Sequence, residues 1–345
     1  MKTREFFFDL PEELIAQRPP QTRGDSRLML LDRGNGAVGH HRMRELPEIL
    51  KKGSLLVFND TRVRRARLYG TPLSPGPASA VEFLLLEQHP GDAGPSTWRC
   101  MVNRSKRQRV GRSYEFPGGV KGIISSADGQ YRTVEFTPPV DDIYLDTYGH
   151  VPLPPYIRRE DEPADADRYQ TVYARETGSA AAPTAGLHFT QELLDSLASA
   201  GFESCFVTLH VGLGTFLPVR TEEVADHRMH TEQLHISEET AAVVDRARRE
   251  KRPIVGVGTT SVRTLESAWN GSRLLPGSNA TDIFIYPGYE FGIVDAIFTN
   301  FHTPESTLLM LVCAFAGKEH TLSAYREAVD NRYRFFSYGD AMLIQ

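Results

Sequence analysis

Five histidines stand where apolar runs give way to small or polar residues: His188, His210, His230, His235 and His302. Imidazole ionises near neutral pH, so a histidine at the end of a strand is a candidate for proton transfer. A histidine standing alone is more often structural, but several at strand ends mark the part of an α/β fold where sites form. In the stretch Met229–His235, Glu232 lies between His230 and His235, which makes it a candidate acid or base. The spacing of these two histidines is not that of a zinc-binding helix, so no metal is expected. There is no GxSxG turn, which argues against a serine hydrolase.

A second chemical feature is the stretch Arg175–Thr190, RETGSAAAPTAGLHFT. Glu176 and His188 bracket a run of small residues that includes Thr184 and Gly186. Small side chains let the backbone approach another body closely. The segment runs into TQELLDSLASAG, read as a helix with Thr190 as its N-cap and Gly201 as its stop. Two readings are open: a tight packing loop, or a cradle for a ligand at a helix start.

Two Gly-rich turns resemble each other, His210–Thr215 with Gly212 and Gly214, and Val255–Thr260 with Gly256 and Gly258. Each follows an apolar strand. The second opens a helix with Thr259, Thr260 and Ser261 as capping candidates and Arg263 one turn in, a set of donors suited to a carboxylate or phosphate. Neither turn is GxGxxG or a P-loop, so dinucleotide or nucleoside-triphosphate binding has little support, and two plain strand-to-helix turns are the alternative. A third loop, Thr299–Thr307, places His302 before a helix that is apolar on nearly every face, with Ser306 or Thr307 as its cap.

Basic residues cluster twice. Arg62, Arg64, Arg65 and Arg67 stand close together, and Trp98–Arg112 carries Arg99, Arg104, Lys106, Arg107, Arg109 and Arg112 with no acidic residue. Such a run is either a solvated face or a footprint for phosphates. The net charge of −5 argues against general coating of nucleic acid. A local patch acts over only about 8–10 Å and is not excluded by that sum.

The elements that position these residues follow from the apolar patterning. At 345 residues the chain is long for one core, so two domains are expected. With 40% hydrophobic and 24% charged residues the composition is that of a soluble globular protein. No apolar run spans a bilayer and the N-terminus lacks a signal-peptide layout, which predicts a cytoplasmic protein. Cys100, Cys205 and Cys313 are far apart in apolar stretches and read as buried small hydrophobes. Residues 1–67 and 153–345 alternate strands and helices, among them LPEELIAQ as a short helix and DIFIYPG as a strand. This alternation predicts an open, mostly parallel α/β domain. Residues 68–152 read as short alternating strands without a helix, which predicts an inserted small β-barrel domain.

The motifs FDLPEELIAQRP, LLVFNDTRV, YGHVPLPPYI, RYQTVYARETGSAAAPTAGLHFT, LHVGLGTFLPVR, MHTE, GVGTTSVRTLES, TNFHTPESTLLMLVCAFAG and YRFFSYGDAMLI, in this order, resemble the S-adenosylmethionine:tRNA ribosyltransferase-isomerase family of queuosine biosynthesis. The resemblance runs from Phe8 to Ile344. It implies an α/β domain with an inserted β-barrel. It also implies that S-adenosylmethionine is consumed as a ribosyl donor to the 7-aminomethyl-7-deazaguanine base at the tRNA wobble position. Adenine and methionine leave, and the ribose isomerises to give epoxyqueuosine. The expected partners are S-adenosylmethionine and precursor-bearing tRNA, with no metal and no membrane, and the chain is expected to act as a monomer.

This chemistry makes demands on the residues. A sulfonium acidifies the adjacent ribose carbon, so a base must lie near it, with His188, His210 or His302 as candidates and Glu232 as a further one. Thr259, Thr260, Ser261 and Arg263 suit the methionine carboxylate. Glu176, Thr184, Gly186, Gly212, Gly214 and Thr215 are expected around the cofactor. Phe189, Phe216 and Phe301 are candidates for stacking on the flipped base. Arg62, Arg64, Arg104, Lys106 and Arg107 are expected at tRNA phosphates. The chain departs from the family pattern at Thr303-Pro304-Glu305, where Leu-Pro-Lys is frequent, and at Thr177, where Pro is common. A glutamate would repel a nearby phosphate, so Glu305 is given no substrate contact.

Overall fold

The computed structural model describes residues 1–73, 79–89, 96–212 and 219–345. The strands of the first part are β1 (Arg27–Leu31), β2 (Val38–Arg42), β3 (Leu55–Asn59) and β4 (Thr61–Val63). Next come β5 (Arg67–Pro72), β6 (Val81–His89), β7 (Ser96–Val102), β8 (Ser113–Glu115), β9 (Lys121–Asp128) and β10 (Tyr131–Thr137). The last group is β11 (Glu176–Ser179), β12 (Glu203–Leu209), β13 (Glu232–Ile236), β14 (Ile254–Val257), β15 (Gly277–Thr281), β16 (Ala296–Asn300) and β17 (Ala341–Ile344). The helices are α1 (Leu46–Ile49), α2 (Asp142–Tyr148), α3 (Asp165–Arg168), α4 (Gln191–Ser199), α5 (Glu238–Arg249), α6 (Thr259–Ala268), α7 (Thr307–Ala316) and α8 (Lys318–Asp330).

The described residues divide into two compact units, one of Met1–Arg62, Pro154–Arg159 and Arg168–Gln345, the other of Val63–Leu153 and Glu160–Asp167. The first unit holds a sheet in the order β15-β13-β12-β3-β14-β16-β17-β1-β2. Its middle is parallel, β12 with β3, β3 with β14 and β14 with β16. The sheet is mixed rather than mostly parallel, because β13 runs against both β12 and β15, β17 against β16, and β2 against β1. Strand direction depends on partners distant in sequence, which local patterning does not report. Along β3, Leu55 and Val57 enter one core and Leu56 and Phe58 the other. A strand covered on both faces is apolar throughout, which is why SLLVF is continuous.

Helix starts follow local chemistry where a cap exists. The hydroxyls of Thr190, Ser237 and Ser306 accept the Leu193, Thr240 and Leu309 amides at the starts of α4, α5 and α7. At α6 the expectation of a hydroxyl cap is corrected. Gly258 is the N-cap, at φ 89°, and no side chain caps the helix. LPEELIAQ forms only a 3-10 turn at Glu12–Leu14. DIFIYPG is not a strand: β15 ends at Thr281, and Ile283, Phe284 and Ile285 then leave the sheet to pack on the core.

The second unit contains a closed barrel, β10-β7-β6-β5-β8-β9, filled by Trp98, Tyr114, Phe83, Phe116 and Phe136. Trp98 is wholly buried, and its indole donates to the Val140 carbonyl at 3.0 Å. The reading of this region as free of helix is corrected by α2, capped by Asp141. Cys100, Cys205 and Cys313 are all buried, and burial pushes each thiol pKa up. Among the described residues no helix is long and apolar enough to cross a membrane.

Candidate active site

Because β3, β12, β14 and β16 are parallel, their last residues Asn59, Leu209, Val257 and Asn300 lie at one edge of the sheet. The loops that follow carry Asp60 and Thr61, His210 to Gly212, Gly258 to Ser261, and Phe301 and His302. Ligands of open α/β sheets bind outside this edge.

The small-residue segment runs across those strand ends. The Arg175 and Glu176 amides donate to the Asp60 carbonyl at 2.8 and 3.3 Å, after β3. The Ala180 amide donates to the Val211 carbonyl at 3.0 Å, and the Val211 amide to the Ser179 hydroxyl at 2.9 Å, after β12. A Cβ placed on Gly258, after β14, would sit 3.5 Å from the Ala185 methyl. At the end of β16 the Asn300 amide nitrogen donates to His188 Nε2 at 2.9 Å. Side-chain bulk is limited by these contacts: a Cβ on Gly186 would stand 2.1 Å from the Tyr173 hydroxyl.

The histidines fall into three environments. His188 is buried with both ring nitrogens engaged, Nε2 by Asn300 and Nδ1 by the Ser26 hydroxyl at 2.9 Å. Since the amide nitrogen can only donate, the proton of His188 lies on Nδ1. Burial, reinforced by Arg334 and Arg23, lowers its pKa to about 3. His302 is also buried, with Nε2 and the Thr299 hydroxyl 2.9 Å apart, and burial lowers its pKa to about 3. His210 is only partly buried, and its Nδ1 shares a 2.8 Å hydrogen bond with the Thr61 hydroxyl. His230 and His235 are exposed, the latter 2.9 Å from the Ser278 hydroxyl.

Three of the expected site residues meet at Glu232. It begins β13, which runs against β12 and so starts at the edge where β12 ends. One carboxylate oxygen accepts the Gly212 amide at 2.9 Å, and the other pairs with Arg263. Both side chains of the pair are only 3% exposed. Arg263 Nη2 and the Thr260 hydroxyl are buried on the same face of α6, and neither has a hydrogen-bond partner among the described residues. Ser261 is different, since its hydroxyl donates to the Val257 carbonyl at 2.8 Å. Thr259 is buried and Thr184 partly buried at the start of a 3-10 turn, Thr184–His188. Gly214, Thr215 and Phe216 lie outside the described residues.

A cleft of about 560 Å³ is lined among others by Asp60, Arg175, Glu176, Thr208, His210 and His235. Glu176 is exposed at its rim. Asp60 is only 7% exposed, and the sequence reading did not single it out. Its signal was present: it is the first residue after a doubly covered parallel strand. Asn59 was missed too, although it accepts the Leu209 and Thr61 amides, both at 3.1 Å, and ties two strand ends together.

The aromatic expectations need correction. Phe189 and Phe301 are wholly buried, packed edge-on against Phe58 and Phe298 and against Tyr325 respectively, so neither presents a face to a base. Of the basic residues, Arg62 is exposed, while Arg64 is held by Asp142 at 2.7 Å and lies over the Trp98 ring. Arg104, Lys106 and Arg107 form an exposed turn with Arg104 at φ 52°, and none of the three has an acidic partner among the described residues.

A family profile described as queuosine biosynthesis protein matches residues 3–344. This chain belongs to that family. It is 54% identical over 350 residues to the S-adenosylmethionine:tRNA ribosyltransferase-isomerase of Treponema denticola, covering 100% of both chains. It is 49% identical over 352 residues to the protein of the same name from Clostridioides difficile, again covering 100% of both. Among solved structures it is similar to the crystal structure of S-adenosylmethionine tRNA ribosyltransferase from Thermotoga maritima, with 35% identity and a TM-score of 0.56, covering 99% of this chain and 100% of that one. These queuosine-family matches span the whole chain, including the barrel strands and the sheet edge described above.

Proposed function

We propose that this chain transfers and isomerises the ribosyl moiety of S-adenosylmethionine onto the 7-aminomethyl-7-deazaguanine base at the tRNA wobble position, releasing adenine and methionine and leaving epoxyqueuosine. The observation that carries this reading is identity of about half of all residues, end to end, with relatives named for that activity. The sheet edge supports it, because one small-residue segment and four strand-end loops converge there on buried polar groups.

The residues divide the work as follows. The Thr260 hydroxyl and Arg263 Nη2, buried without partners, are donors for the methionine carboxylate, and a carboxylate there would satisfy both. Glu232 fixes the guanidinium in place and holds the Gly212 amide. Thr259, Thr184, Gly186 and Glu176 contribute to the walls of the adenosyl site, with Gly214 and Thr215 following Gly212 in the chain. Ser261 serves as a helix-start anchor through its bond to Val257. His210, partly buried at the cleft, is the histidine placed to hand a proton to departing adenine. His188 and His302 stay neutral at physiological pH and act by positioning the Asn300 and Thr299 ends of the edge.

The α/β part, residues 1–67 with 153–345, carries the chemistry, and the inserted barrel, residues 68–152, offers its basic turn of Arg104, Lys106 and Arg107 to tRNA phosphates. Arg62 adds an exposed charge, whereas Arg64 serves the barrel through Asp142. The chain works as a cytoplasmic monomer and uses no metal. Incubating the protein with S-adenosylmethionine and precursor-bearing tRNA tests this reading. Adenine and methionine are expected in equal amounts, and formation of S-adenosylhomocysteine without adenine would mean methyl transfer instead.

A further inference from the structure

The cleft contains one buried acid that no role so far accounts for. Asp60 follows β3 directly, and its backbone is fixed on two sides. Its amide donates to the Val207 carbonyl at 3.0 Å, and its carbonyl receives the Arg175 and Glu176 amides. Its side chain makes one hydrogen bond, from the Thr208 hydroxyl to Oδ1 at 2.8 Å. The residue's own backbone amide also acts on the carboxylate, no second side chain donates to it among the described residues, and the residue is 7% exposed and lines the 560 Å³ cleft. A buried carboxylate is ordinarily supplied with donors on both oxygens. A buried carboxylate held by a single side chain on the wall of a ligand-sized cleft is suited to a group that arrives there.

The surroundings make this carboxylate more basic than usual. Burial raises its pKa, the Thr208 hydrogen bond opposes that, Glu176 raises it, and Arg175 and the residue's own backbone amide lower it. The other titratable or charged groups that line the cleft are Glu203 and Cys205 on β12, His210 just after it, His235 on β13 and Glu239 on α5, with Tyr173 packed behind Phe58. A carboxylate of raised pKa takes a proton more readily than a solvated one. Neither buried histidine offers this: both have pKa values lowered to about 3 by burial.

Resting on the function proposed above, we infer that Asp60 is the proton acceptor of the reaction, its Oδ2 taking the proton from the ribose carbon bonded to the sulfonium sulfur. In this step the C–H bond breaks, its electron pair stays on the carbon that the sulfonium stabilises, and an O–H bond forms on Oδ2. Departing adenine takes up one proton, so return of that proton restores the carboxylate with no further reactant. Thr208 holds the carboxyl plane and tunes its basicity, and is a positioning residue.

The test uses the full chain with S-adenosylmethionine and precursor-bearing tRNA. Asp60→Asn is nearly isosteric and is expected to lower the rate of adenine release by roughly 10²-fold or more while equilibrium binding of S-adenosylmethionine changes by less than about tenfold. Adenine release within a few-fold of wild type would overturn the inference. Should Asp60→Asn fail to fold, Thr208→Val keeps the carboxylate and decides the matter. Removing a hydrogen bond that favours the charged form raises the Asp60 pKa, so the acid limb of the kcat/KM profile moves to higher pH, and an unmoved limb overturns the inference. If the wild-type chain releases no adenine, the functional reading has failed; if it does and the Asp60 variant does too, only this inference has.

Discussion

At the scale of single residues, burial separates groups that look equivalent in the chain. His188, His210 and His302 all follow apolar strands or small-residue runs, yet two are enclosed and one faces a cleft. The enclosed pair has a thermodynamic consequence. Their folded-state pKa of about 3 lies below the ordinary value of 6.5, so between these limits the unfolded chain binds protons that the native chain does not. Stability therefore rises with pH through this window, by up to about 1.4 kcal/mol per pH unit for each histidine. Urea midpoints at pH 7 and pH 5 should fall toward the lower pH, above the range where ordinary carboxylates titrate. His302→Asn should flatten that dependence, and an unaltered slope would show that His302 does not stay neutral. The Glu232–Arg263 pair behaves differently. Glu232→Gln leaves a guanidinium enclosed without its counter-charge, an expected loss of about 3–5 kcal/mol in denaturant titration.

At the scale of elements, the segment from Arg175 to His188 acts as a strap across four strand ends. Its small residues are required by contact with neighbours and not by turn geometry alone. Gly186→Ala should destabilise the chain by roughly 1–3 kcal/mol, because the added methyl meets the Tyr173 hydroxyl. Adding Tyr173→Phe should recover part of that loss, though the Thr171 methyl, 2.7 Å from the same point, prevents full recovery. Recovery is read as the difference between thermal midpoints of the single and double variants. The caps show the other extreme. Thr190 and Ser306 were legible because a cap bonds within three residues, whereas Gly258 is the N-cap of α6, at φ 89°.

At the scale of the whole molecule, the cleft lies in the first unit and the basic turn in the second. The barrel's turn of Arg104, Lys106 and Arg107 is exposed and lacks acidic partners, so its fields are available to a polyanion despite a net charge of −5. Replacing the three by Ala should weaken tRNA binding and reduce the slope of log affinity against log salt by roughly two to three, while S-adenosylmethionine binding stays as it was. A salt slope equal to wild type would remove this turn from the interface.

The sequence alone was sufficient for membership of the queuosine family, for a barrel between stretches of α/β texture, and for the loops that reach the site. Those properties reside in runs of adjacent residues, in local hydrogen bonds and in apolar periodicity. The tertiary structure decided the rest. Strand direction came from pairings such as β17 with β1 and β16, more than three hundred residues apart in the first case. His188 became a fixed, neutral group because Ser26 and Asn300 reach it from 162 and 112 residues away. Asp60 became the acid of interest because Thr208, 148 residues on, holds one of its oxygens and the fold places the residue on the wall of the cleft. The basicity of a side chain depends on solvent and partners, and both are known only once the chain has closed around it.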